Sequence, residues 1–132
     1  MFKFISFFIL FFANINNLKS DEINAFQLFK GCESYYYWVK KDYKVPVDEK
    51  VLFSMGKCQG VLETMGKTML TLCYERKRNL NINKQLTANL KGVKTIEIVE
   101  KFIQTAAKES RLRKYTAHSY LIKFINKNWP CD

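Results

Sequence analysis

The stretch DEKVLFSMGKCQGVLETMGKTMLTLCYER, residues 48–76, decides the fold class. Within it Val51, Leu52, Met55, Cys58, Leu62, Met65, Met69 and Leu72 recur mainly at steps of three and four, the period of one face of an α-helix. The spacing predicts one long helix over 48–76. Asp48 is placed to act as its N-cap, because a short carboxylate there can accept from the first unpaired backbone amides. A coiled coil would require companion helices of similar length. The other amphipathic segments are shorter, which favours a core-facing helix of a small bundle.

Upstream, Ile23, Phe26, Phe29, Cys32, Tyr36 and Val39 mark a first helix over about 21–41. Pro46 lacks an amide proton and restricts the residue before it, so the chain is expected to turn within 42–48. Downstream, 77–94 is rich in Asn, Lys, Thr and Gly, with Asn79, Asn81, Asn83 and Asn89, and reads as a long loop with one turn of helix and little apolar content. Ile96, Val99, Phe102, Ile103 and Ala106 mark a third helix capped near Thr95, and 108–114 is a charged connector. Ala117, Leu121, Phe124 and Ile125 mark a fourth helix, closed by Trp129-Pro130-Cys131. No alternating β-branched run competes with these helices. The fold class is all-α, a small antiparallel four-helix domain.

Composition sets the wider bounds. With 132 residues, 48% of them hydrophobic, the chain holds one globular domain and is not a disordered segment. Six of its 11 Phe lie in the first twelve residues. Met1-Phe2-Lys3, the apolar run 4–13 and the polar stretch 14–20 have the layout of a secretory signal peptide. The expected organisation is a leader over 1–20, cleaved near Ser20 or later at Ala25, and a helical domain over 21–132. The apolar run is about half of the roughly 20 residues needed to span a bilayer, so no stable membrane anchor is expected. Of the 22 Lys and Arg only Lys3 and Lys19 fall in the leader, and the domain keeps 20 basic against 12 acidic side chains, a net charge of about +8. For an exported chain this charge points to an acidic protein or an anionic envelope surface and not to nucleic acid.

The four cysteines, at 32, 58, 73 and 131, lack the close pairing of zinc ligands, and an even count in an exported chain indicates two disulfides. Three connectivities are possible, and the helix pattern favours one. Cys32 lies about nine residues before the end of the first helix and Cys58 about ten after the start of the second, so both sit roughly 14 Å from the same turn. Cys73 is near the far end of the second helix, where an up-down-up-down path brings Cys131. The expected pairs are Cys32–Cys58 and Cys73–Cys131.

Four features then occur in order: Leu28-Phe29-Lys30-Gly31-Cys32 in the first helix, Gly56-Lys57-Cys58-Gln59-Gly60 in the second, Leu72-Cys73 closing it, and a final helix with Ala117 that ends in Trp129-Pro130-Cys131-Asp132. In this combination, which covers nearly all of 21–132, the chain resembles the Rap/Tai family of type VI secretion immunity proteins. It departs from that family's usual pattern at Val61, Thr64, Lys67 and Glu75, where Tyr, Gly, an acidic residue and Pro are usual. The resemblance implies a periplasmic protein that binds a peptidoglycan amidase toxin of the papain-like kind and blocks its active-site groove, often as a homodimer.

Two surface segments are candidates for such a contact. Four consecutive aromatics, Tyr35-Tyr36-Tyr37-Trp38, cannot all face one core, since successive helical residues point about 100° apart. Tyr35, Tyr37 and Trp38 are therefore candidates to meet a partner, the alternative being that Tyr36 and one neighbour fill the core while the others cover loops. The basic connector residues Arg111, Arg113 and Lys114 would project towards an acidic cleft. Gly56 and Gly60 are expected to allow close approach of the first helix, so that Gly60→Leu would destabilise the fold. No catalytic residue, cofactor or metal is assigned, because His118 is the single histidine and every cysteine is expected to be oxidised. Two other readings of an exported basic helical chain are an envelope-binding or stress protein without a cognate toxin, and a carrier of small apolar ligands.

Overall fold

A computed structural model describes residues 22–78 and 81–132, and the expected leader over 1–20 lies outside them. The described residues form four α-helices: α1 (Ala25–Lys40), α2 (Glu49–Arg78), α3 (Thr95–Ala106) and α4 (Ala117–Asn128). Two short 3-10 turns, Lys84–Leu86 and Leu112–Lys114, interrupt the connections. Each helix begins where its sequence supplies acceptors or room. Asn24 caps α1 in a reciprocal box, its Oδ1 accepting from the Gln27 amide at 2.9 Å while Gln27 Oε1 accepts from the Asn24 amide at 3.0 Å. Asp48 Oδ1 accepts from the Val51 amide at 2.9 Å, as its capping position required. Helix α3 begins at Thr95 with Lys94 in the cap position and no side-chain cap.

The long helix buries Met55, Cys58, Leu62, Gly66, Met69 and Cys73 in a continuous seam. Its first turn behaves differently from the expected stripe, because Leu52 is 48% exposed and faces away from the bundle. Helix α1 is rotated relative to its expected face. Ala25, Leu28, Phe29, Gly31 and Cys32 are buried, while Ile23 and Phe26 sit at the margin. Helix α3 contributes Ile98, Val99, Phe102 and Ala106, and α4 contributes Ala117, Leu121, Phe124 and Ile125. Phe102 and Phe124 meet edge to face at 5.6 Å in the middle of this core.

Both disulfides form as the helix pattern required, Cys32 with Cys58 and Cys73 with Cys131. The first ties α1 to α2, and the second ties the end of α2 to the C-terminus, where Arg76 also donates to the Cys131 carbonyl at 3.2 Å.

The glycines that permit close packing are not those expected from spacing. A Cβ on Gly56 or Gly60 would meet nothing within 4 Å, and both residues are exposed on the outer side of α2. The close approach of α1 and α2 occurs at Gly31 instead, where a Cβ would lie 2.5 Å from the Ser54 carbonyl oxygen. The connection after α2 also differs from an apolar-poor loop, since Thr87, Ala88 and Leu90 are buried. Long-range hydrogen bonds hold it there: the Ala88 amide donates to the Met69 carbonyl, the Asn89 amide to the Trp129 carbonyl, and Asn126 Nδ2 to the carbonyls of Lys84 and Thr87. None of the described helices is long and apolar enough to cross a membrane.

Candidate partner-binding surface

The aromatic run lies in the second half of α1, and the structure gives its members separate tasks. Tyr35 and Tyr36 pack against the core, and the Tyr36 hydroxyl donates to Glu100 Oε1 at 2.8 Å. Burial pushes the Tyr35 phenol above its ordinary value, with Tyr43 and Glu63 adding in the same direction. Trp38 covers the turn after α1. Its indole N–H donates to the Val45 carbonyl at 3.2 Å, and its ring meets Tyr43 edge-on at 4.7 Å. Only Tyr37 of the four points outward, 55% exposed, with Lys41 Nζ 5.8 Å from its ring centre. The backbone of Asp42 and Tyr43 is left-handed, with φ of 51° and 62°, and this brings Tyr43 back onto Trp38.

The basic connector is anchored at its middle and at its end. Leu112 is buried, and residues 115–117 run beside 23–25, the Ala25 amide donating to the Tyr115 carbonyl and the Ala117 amide to the Ile23 carbonyl. Arg111 is exposed and loosely paired with Glu109 at 3.9 Å, and Lys114 is exposed. Arg113 is exposed and lies over Phe26, its guanidinium carbon 3.7 Å from the ring centre. The predicted residues therefore do not form one site. Phe26 and Tyr37 are eleven positions apart on α1, about 16 Å along its axis, so the aromatic and basic candidates occupy opposite ends of that helix.

A third surface, which the sequence did not single out, lies between α1 and α2. Beside their contact at Gly31 and Ser54 the helices leave a groove of about 460 Å³, walled by Phe26 and Lys30 of α1, by Ile23 just before it, and by Lys50, Phe53 and Lys57 of α2. Two adjoining depressions of about 610 and 380 Å³ share Lys57 with it and run along the outer face of α2 past Gly56 and Gly60 to His118. The exposed glycines thus lie in the floor of a surface and not in a helix contact. Phe53 is the most exposed large apolar side chain of the described residues, at 66%, and Lys57 Nζ sits 4.5 Å over its ring. The periodic stripe of α2 leaves Phe53 out, but Val51, Leu52 and Phe53 form an unbroken apolar run whose exposure the sequence alone does not reveal.

His118 Nδ1 lies 3.7 Å from Glu22 Oε1 on the surface, and the four cysteines are bonded to one another. Among the described residues no three His, Cys, Asp or Glu side chains are grouped to hold a metal ion. Comparison with family models, with characterised proteins and with solved structures finds no match to this chain.

Proposed function

We propose that this protein is an exported inhibitor that binds one peptidoglycan amidase and blocks it, as the type VI secretion immunity proteins that it resembles do. The disulfide framework is the observation that most supports the reading: Cys32–Cys58 and Cys73–Cys131 crosslink α1, α2 and the C-terminus into one body. Such bonds persist in oxidising compartments, in keeping with a periplasmic site of action. A crosslinked helical scaffold presents its surface already ordered, so little conformational entropy is lost when a partner docks. The chain acts by occupying its partner and performs no chemistry of its own. Its cysteines are engaged in disulfides and its one imidazole stands beside the surface carboxylate of Glu22, in keeping with a binding role. A homodimer, as in the family it resembles, belongs to the same proposal.

The test is inhibition. The purified protein, with both disulfides formed, is expected to titrate the activity of a co-occurring amidase on purified peptidoglycan to zero near one inhibitor chain per enzyme. Its net charge of about +8 over 21–132 favours one other reading, an envelope-binding protein held by anionic surfaces. That binding would weaken steeply with salt, whereas a shape-matched inhibitor complex would survive it.

A further inference from the structure

The groove between α1 and α2 has the features of a recognition site for one kind of partner. Its walls are mainly apolar, supplied by Ile23, Phe26 and Phe53, with Gln27, Ser34 and Ser54 among them. Its rim is cationic on both banks, with Lys30 on α1 and Lys50 and Lys57 on α2. Lys30 already holds Glu33 at 2.6 Å, but Lys50 and Lys57 have no ion pair among the described residues. They stand seven positions apart on one helix, about 10 Å along its axis, the same interval at which two turns of a docked helix would repeat a carboxylate. Arg113 lies outside the groove's lining and stacks on Phe26, one of its walls. The Cys32–Cys58 bond crosslinks the two helices beside the groove, at a Cα separation of 5.1 Å, and so fixes its width.

From this we infer that the α1–α2 groove binds an acidic amphipathic segment of a partner protein, seating an apolar side chain between Phe26 and Phe53 and carboxylates on Lys50 and Lys57. The recess decides against a membrane surface. Although Phe53 is 66% exposed, Ile23 and Phe26 lie within a cleft flanked by lysines from both helices, a shape that a peptide segment fills and a flat bilayer does not. The inference concerns the face and the chemistry of its ligand, and it stands whatever the partner's activity.

The experiment uses the full-length chain, expressed with export to an oxidising compartment. A phage-displayed library of random peptides is selected on it, and the enriched peptides are synthesised and measured by fluorescence anisotropy. Enrichment of peptides that combine Asp or Glu with Leu or Phe is expected. Phe53→Ala, and separately Lys50→Glu with Lys57→Glu, should each weaken binding about tenfold or more. Lys91→Glu with Lys101→Glu, the same charge change on exposed positions elsewhere, should leave it within about twofold. All of these side chains are exposed, and an unchanged melting temperature certifies each variant's fold. The inference is overturned if enriched peptides lack acidic residues, or if the groove variants bind as well as the parent. It is equally overturned if Phe53→Ala abolishes only sedimentation with phosphatidylglycerol vesicles or only self-association of the chain, with no peptide binding at all.

Discussion

Gly31 and Gly60 show how differently the same residue type is used in this molecule. At Gly31 a methyl group would have to displace the Ser54 backbone, since its Cβ would lie 2.5 Å from the carbonyl oxygen. Gly31→Ala is therefore expected to cost about 2 kcal/mol or more, measured by urea denaturation, through a forced separation of α1 from α2. Gly60 has open space around it and sits in the interior of a helix, where alanine is preferred by about 1 kcal/mol. Gly60→Ala should accordingly raise stability by up to about that amount. The expectation from spacing that Gly60→Leu would destabilise by a clash finds no neighbouring atom to clash with. A glycine in a sequence announces only that a side chain is missing. Whether the space is filled by another helix is decided by partners far along the chain, here Ser54 against Gly31.

Among the elements, α4 is the most directly readable, because its four periodic apolar residues, Ala117, Leu121, Phe124 and Ile125, are also the four that it buries. The start of α2 was readable for the same local reason: a capping carboxylate needs only the next three residues. Asp48→Ala should cost about 1 kcal/mol, visible as a lower denaturation midpoint at an unchanged slope. The orientation of α1 was less readable. Phe26, Leu28 and Phe29 spread its apolar content over more than one flank, and the flank that faces inward is chosen by the contact at Gly31. The connection after α2 was misjudged as apolar-poor, since Ala88 and Leu90 belong to no period and are drawn inward by hydrogen bonds to Met69 and Trp129. The candidate site was readable only in its parts. Phe53 and Lys57 stood in view as a stretch of helix, but the groove exists only where a second helix lies beside them.

For the whole molecule, the two disulfides close loops of different length, with cysteines 26 and 58 positions apart. If the crosslinks act mainly by restricting the unfolded chain, each contributes roughly 2–4 kcal/mol, and the longer loop exceeds the shorter by about 0.7 kcal/mol. Replacing Cys73 and Cys131 by Ser should therefore lower the unfolding free energy somewhat more than replacing Cys32 and Cys58, with chemical denaturation as the readout. An equal or reversed order would place native-state packing ahead of chain entropy as the source of the stabilisation. The same crosslinks keep the cationic outer surface in one shape, which is what an inhibitor of a single enzyme requires. The most direct measurement is to immobilise the disulfide-bonded protein, pass over it the periplasmic and secreted proteins of the producing organism, wash at high salt, and assay the retained fraction on purified peptidoglycan. The account predicts that one amidase is retained and that its activity falls to zero as soluble protein is added in equimolar amount. Retention of only salt-labile acidic material, or of a hydrolase whose activity does not change on binding, would contradict it.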